Sequence, residues 1–276
     1  MKKICYTALF GGVDDLKRPT KITPGWEYIV YTDDPYLTSD VWSVEFVETP
    51  NPRKASRYYK THPPQADLTV YIDATFEIKG NLDRFALSKT DGIWLNAHPQ
   101  RNCAYKEAEI VTLKNLDKKE VIDKHILRYR EEGLPEDWGL WRCGIIVRDG
   151  NDPRIAKLNN LWWEEIDNGS WRDQISFPYA CWKLGITPNN IMHGITNIYF
   201  KQSLHLSKPT DDWVYDNGEP VEKDNSLIKR YDTAHIIIRP DRFLVPRWLT
   251  NYISLSKGRD RFIELVKILN GVVVYG

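Results

Sequence analysis

Long apolar runs are missing from this 276-residue chain. No stretch approaches the roughly 18–20 apolar residues that cross a bilayer, so no membrane span is expected. Net charge is missing too: 38 Lys and Arg balance 38 Asp and Glu, leaving no global field to recruit nucleic acid or an anionic membrane. Cysteine is sparse. Cys5, Cys103, Cys143 and Cys181 are widely scattered and form no C-x-x-C pair, which argues against a zinc or redox motif and fits reduced thiols in a cytoplasmic protein. Neither G-x-G-x-x-G nor a Walker A sequence is present, so dinucleotide and P-loop readings fail. Met1-Lys2-Lys3 and the apolar segment Ile4 to Phe10 imitate a signal peptide, but the run is short, contains Tyr6 and Thr7, and lacks a good small-residue cleavage site. It reads better as a buried first strand.

Aromatic residues are abundant instead. Eleven Trp and fifteen Tyr suit a protein that stacks rings on sugar faces or bases, although large rings also fill cores. Short apolar runs alternate with polar connections in the first half. Strands are expected at Lys3–Phe10, Glu27–Thr32, Ser43–Val47, Leu68–Ile72, Gly92–Ala97 and Leu140–Val147, several continuous enough to be covered on both faces. Helices are expected at Glu120–Glu132, from Asp152-Pro153 to Asn168-Gly169, and from Trp171 to Leu184. His125 lies on the apolar stripe of the first of these and reads as a packed core histidine. From Thr187 to about Asp241 periodicity is poor, as in long active-site loops or a lid. Arg259–Asn270 reads as an amphipathic helix suited to a sheet, subunit or peripheral contact.

Several segments carry candidate chemistry. The first strand runs into Gly11-Gly12, where backbone can approach a ligand, with Thr7, Phe10 and Gly11 as donor-side candidates; a tight turn is an equal reading. Asp33 ends the second strand and can accept from a base N–H or ribose hydroxyl; a solvated turn is the plain alternative. Pro52 to Lys60 interleaves Arg53, Lys54, Arg57 and Lys60 with Tyr58 and Tyr59, a pattern able to grip a diphosphate or simply to be a wet surface. The strand Leu68–Ile72 then delivers Asp73, beside Tyr71, as a hard oxygen ligand at its end. His98, Arg101 and Glu107 follow another strand end and suit a donor phosphate or acceptor hydroxyls. Ser170-x-x-Asp173 has capping-box spacing, so Asp173 either closes a helix end or points into a sugar site as a base or hydroxyl clamp, with Arg172 beside it. Trp141, in a Trp-rich stretch with Trp138, is a candidate for acceptor stacking.

Taken in order, Arg57-x-x-Lys60, Tyr71-Ile72-Asp73-Ala74, His98-Pro99-x-Arg101-x-Cys103-x-Tyr105-x-Glu107-Ala108 and Arg172-Asp173-Gln174-Ile175-Ser176-Phe177 resemble a glycosyltransferase-like family. That family includes plant proteins of seed-mucilage synthesis and pollen-tube turgor control, with bacterial and viral members. The similarity spans roughly Lys3 to His205. It implies a GT-A, Rossmann-like fold: a mixed, mostly parallel α/β sheet flanked by helices, with a donor half at about 1–100 and an acceptor half at about 101–205; the residues beyond it, 206–276, carry no family motif and read as a C-terminal helical or irregular extension packing on the same domain. It also implies a nucleotide-sugar donor, a UDP-sugar by preference, a glycan hydroxyl as acceptor, and a divalent metal, Mn²⁺ or Mg²⁺. Asp73 takes the place of the metal-motif aspartate, Arg57 and Lys60 that of donor-phosphate contacts, and Asp173 that of the Arg-Asp-Gln aspartate. The usual Asp-x-Asp is here Asp73-Ala74-Thr75, so either Thr75 and water complete the sphere, or a later histidine does, His205 or its rival His193, or metal dependence is weak. The alternatives are a sugar nucleotidyltransferase, which the acidic Gly11 to Asp15 turn disfavours, and a non-catalytic carbohydrate-binding protein.

Overall fold

A computed structural model describes residues 1–203 and, beyond them, five short strands: Tyr215–Asp216, Glu219–Pro220, Ile236–Ile238, Phe243–Leu244 and Val273–Tyr275. The chain divides into two compact units, residues 1–219 and 220–276. In the second, Ile236–Ile238 pairs antiparallel with Phe243–Leu244 and parallel with Val273–Tyr275. The expected Arg259–Asn270 helix and His205 lie outside the described residues.

The first unit is built on a seven-stranded sheet. Its members are β1 (Lys3–Leu9), β2 (Glu27–Thr32), β3 (Ser43–Phe46), β4 (Leu68–Ile72), β6 (Ile93–Ala97), β7 (Trp141–Asp149) and β8 (Asn189–Asn190). A further strand, β5 (Phe76–Ile78), pairs outside this sheet with β9 (Phe200–Gln202). The order is β3-β2-β1-β4-β7-β6-β8, and β7 runs antiparallel to both its neighbours while the other pairings are parallel. This is the mixed, mostly parallel α/β sheet that the resemblance implied. The chain leaves β1 towards β2 and β3, then returns to place β4 on β1's other side. The resulting crevice between the carboxyl ends of β1 and β4 is where open α/β sheets bind ligands.

Both faces of the sheet are covered, which explains the unbroken apolar strands. On one face Cys5, Val30, Val70, Ile72 and Ile145 pack with Trp26, Trp42 and Phe85 of α2 (Leu82–Ala86). On the other, Ile4, Tyr6, Tyr71, Leu95 and Ile146 meet Leu158 and Trp162 of α5 (Pro153–Asp167) and Phe177 of α6 (Asp173–Lys183). A third cluster joins α6 to α3 (Ala104–Leu113) and α4 (Lys119–Glu131) through Tyr105, Val111, Ile122, Tyr129 and Tyr179. His125 is a core residue: Ser170 N–H donates to its Nδ1, and its Nε2 faces the buried Glu165 at 3.2 Å.

Three local readings are sharpened. The basic run forms a helix, α1 (Pro52–Thr61): the Asn51 side chain accepts from Lys54 N–H at 3.0 Å, and Pro52 occupies the first turn. Ser170 and Asp173 form no capping box. The cap of α6 is Arg172, without a side-chain bond, and the Ser170 hydroxyl donates instead to Asp117. The segment expected to be irregular after Thr187 contains β8, α7 (His193–Tyr199) and β9 up to Gln202.

Candidate active site

The centre of the site is assembled from three elements that meet at the crevice. β4 ends in Asp73, whose N–H donates to Gly144 O of β7 at 2.8 Å. α1 crosses beneath it and delivers Lys60 and Arg57, one helical turn apart. α6 starts with Asp173. The Lys60 ammonium lies between the two carboxylates, 2.6 Å from Asp173 Oδ2 and 2.9 Å from Asp73 Oδ1. It also sits over the Tyr71 ring, 5.1 Å from the centroid, and the Tyr71 hydroxyl donates to Asp73 Oδ1 at 2.8 Å. Arg57 Nε donates to Trp171 O at 3.2 Å and lies 4.0 Å from Asp173 Oδ2. Asp173 is held from behind as well, because Trp162 Nε1–H donates to its carbonyl.

Electrostatics fix the charge states. Burial alone would raise the Asp173 carboxyl, but the Lys60 ammonium and then the Arg57 guanidinium outweigh it and hold it well below the usual carboxylate range. Lys60 is the mirror case: burial would lower its pKa, and Asp173 with Asp73 raises it above the ordinary lysine value. The four groups sum to zero charge. Lys60, expected at a donor phosphate, is 2% exposed and already engaged by both carboxylates. Arg57 keeps 22% of its side chain exposed and Asp73 keeps 34%, so these two face the crevice.

Behind the centre lies an anchor. Arg148 of β7 is fully buried and donates to Tyr6 OH (2.8 Å), Asn159 Oδ1 (3.1 Å) and Lys60 O (2.9 Å). A guanidinium placed against the last carbonyls of α1 interacts favourably with the negative end of the helix dipole and pins the turn that carries Lys60. Gly144 is the second support. A Cβ there would stand 3.0 Å from Phe76 Cε2 and 3.1 Å from Asp73 Oδ2, so a side chain would crowd the carboxylate. Arg148 and Gly144 carry no motif, but an arginine within an apolar strand was a visible signal that a buried polar partner set existed.

The remaining candidates divide between the two ends of the sheet edge. At the β1–β2 end the Gly11 N–H donates to the Asp33 carboxylate at 3.0 and 3.1 Å, with Gly11 at φ +72°. Phe10, Tyr59 and Tyr31 form a stack there, with centroids 5.7 and 4.2 Å apart. Thr7 is buried within β1, two residues short of its end, and does not reach the edge. At the β6–β8 end, Arg101 Nε and Nη2 bond the buried Glu107 at 2.7 and 2.6 Å. His98 stands beside Arg101, and burial followed by Arg101, Arg142 and His193 pushes its imidazole down to about 4. Trp141 is no exposed platform. Its ring is buried against Trp138 and Phe177 in the core. Arg172 caps α6 with its Nε buried and without a hydrogen-bond partner among the described residues.

Among the described residues no group of three His, Cys, Asp or Glu gathers to hold a metal. Asp73 Oδ1 is occupied by Lys60 and Tyr71, Thr75 is buried, and His193 Nε2 is 2.9 Å from Ala97 O at the far end of the edge. Of the expected ligands among the described residues, Asp73 alone stands at the crevice, and this set does not fit a divalent metal.

The fold and this edge define a glycosyltransferase-like α/β protein. The family model for the TOD1/MUCI70 glycosyltransferase-like domain matches residues 59–206, more than half of the chain, and the chain belongs to that family. The match begins within α1 and takes in Lys60, Asp73, His98 and Asp173. No curated protein matches the chain. No described helix is long and apolar enough to cross a membrane.

Proposed function

We propose that the chain transfers a glycosyl group from a nucleoside diphosphate sugar, a UDP-sugar by the family resemblance, to a hydroxyl of a glycan acceptor. The observation that carries this reading is the Asp73–Lys60–Asp173 bridge, with Arg57, at the β1–β4 crevice. In it the nucleoside lies towards Asp33 and the Phe10–Tyr59–Tyr31 stack, and the sugar towards Asp173. Arg57 is the cation positioned for the departing diphosphate, where preorganised charge lowers the barrier most. Lys60 serves from behind, holding both carboxylates in place rather than touching phosphate.

Asp173 is a poor base in this setting. A carboxyl held far below neutral has little affinity for a proton, and general-base efficiency needs a pKa near the working pH. Its role here is to fix Lys60 and Arg57 behind the sugar, and a reaction that retains configuration needs no strong base. The bond from the anomeric carbon to the donor phosphate breaks with its electron pair going to the phosphate oxygen. The acceptor oxygen bonds to the anomeric carbon, and its proton goes to the departing phosphate.

The test is a panel of nucleotide sugars, each with and without Mn²⁺, assayed for free nucleoside diphosphate, together with calorimetry for UDP. Release of diphosphate from at least one donor supports the reading. Absence of both turnover and UDP binding sinks it. Asp73→Ala at full activity removes the role given to that residue and leaves the fold untouched.

A further inference from the structure

The far corner of the sheet edge, where β6 and β8 end and β7 begins, holds an imidazole N–H that lacks an acceptor. The backbone N–H groups of Gln100 and Arg101 point at His98 Nδ1, at 3.3 and 3.1 Å. That places the single proton of the neutral ring on Nε2. Nε2 in turn lies 3.1 Å from Arg101 Nη2, and a guanidinium only donates. Two N–H groups therefore stand side by side with no lone pair between them. Arg101 cannot swing away cheaply, because buried Glu107 bonds two of its nitrogens.

Arg142 adds charge to this fork. It pairs with Asn96 across an irregularity in the β6–β7 ladder, where the register jumps from Leu95–Ile146 to Asn96–Arg142. Such bulges re-aim side chains next to sites. Its Nη2 donates to Gln202 Oε1 at 2.8 Å, and among the described residues it has no carboxylate partner. Glu107 cancels Arg101, so the corner keeps the charge of Arg142. The Asp73, Lys60, Asp173 and Arg57 group, by contrast, is neutral as a whole, and its one exposed cation, Arg57, is the one given to the donor diphosphate.

We propose that His98 Nε2–H, Arg101 and Arg142 form an oxyanion subsite, which accepts a carboxylate or phosphate oxygen of a sugar substrate between its donors. Assigning it to the acceptor side rests on the transferase reading above; the anion chemistry does not. An oxygen there accepts from His98 and Arg101 together, relieving their donor-to-donor contact, and faces the unpaired charge of Arg142.

Calorimetric titration of the full chain with UDP, inorganic phosphate, glucuronate and glucose tests this, on the wild type and on Arg142→Gln and His98→Ala. Matched melting temperatures and an Arg142→Lys control guard against misfolding. The expected result is that one anion class binds the wild type and weakens about ten- to hundredfold in both variants, the worth of one or two charge-assisted hydrogen bonds, while Arg142→Lys recovers part of it. Glucose is unaffected. Loss of glucuronate binding with UDP unchanged identifies a sugar carboxylate; loss of both phosphate and UDP binding identifies a phosphate. Anions that bind equally to wild type and variants, or that do not bind the wild type, overturn the proposal. UDP that fails to bind while glucuronate shows the expected losses overturns the donor reading and leaves the subsite standing.

Discussion

Lys60→Met replaces a buried ammonium with an apolar side chain of similar length and leaves two carboxylates facing each other. Removing one partner of a buried ion pair costs about 3–5 kcal/mol, because the other charge stays buried unpaired. The lower end applies here. Arg57 remains 4.0 Å from Asp173, Tyr71 still donates to Asp73, and Asp73 is a third exposed. A loss of about 3 kcal/mol in a unit of this size lowers the melting temperature by about 10 °C. The sign of the pH dependence is a sharper check. In the wild type Asp173 is depressed, so its pairing contributes stability above the unfolded pKa of about 3.9 and loses it only as pH falls through the depressed value. Without Lys60, burial dominates and the carboxyl rises, so ionising it costs stability as pH increases. The deficit of the variant is therefore smaller at pH 5 than at pH 8, and Lys60→Met with Asp173→Asn recovers more than half of it. Thermal melts at both pH values read this directly. A variant that melts within about 2 °C of the wild type at pH 8, or whose deficit is the same at both pH values, refutes the buried bridge.

Three further outcomes are expected. Gly144→Ala pushes on Phe76 and Asp73 and lowers glycosyl transfer about tenfold, with a stability cost of about 1–3 kcal/mol; unchanged kcat/KM would show that Asp73 has room to move. Arg148→Met orphans Asn159 Oδ1, leaves Tyr6 OH and Lys60 O only their mutual 3.3 Å bond, and costs about 3 kcal/mol by urea denaturation, whereas Arg148→Lys restores less than half because it lacks the guanidinium fork. Gly11→Ala, at φ +72° and with its Cβ 3.3 Å from Pro52, costs about 1–2 kcal/mol and weakens UDP binding by displacing the N–H that Asp33 accepts; equal UDP affinity by calorimetry counts against a nucleoside role for that turn.

Most of the main sheet was readable in advance because its strands are continuous apolar runs, and burial on both faces requires such runs wherever the strands later sit. The α1 helix carried a signal in Asn51-Pro52 that the density of charge obscured. Trp141 shows the opposite limit: an indole suits a sugar platform and a core equally well, and the packing of Phe177 and Trp138 against it settled the matter.

By itself the sequence determined the α/β class, the strand-end position of Asp73 and the family blocks that carry Lys60, His98 and Asp173, since these depend on residue type and short spacing. Tertiary structure alone decided what those residues touch. Asp73 and Asp173 are a hundred positions apart, and only the closing of α1 and α6 over the β4 end puts one ammonium between them. The same holds for Arg148 and Gly144, whose importance is a matter of what lies 3 Å away in space. Neighbouring charge then sets the chemistry against burial: the two carboxylates turn a lysine expected at phosphate into an internal counter-ion, and Lys60 with Arg57 turns a candidate base into a fixed anion.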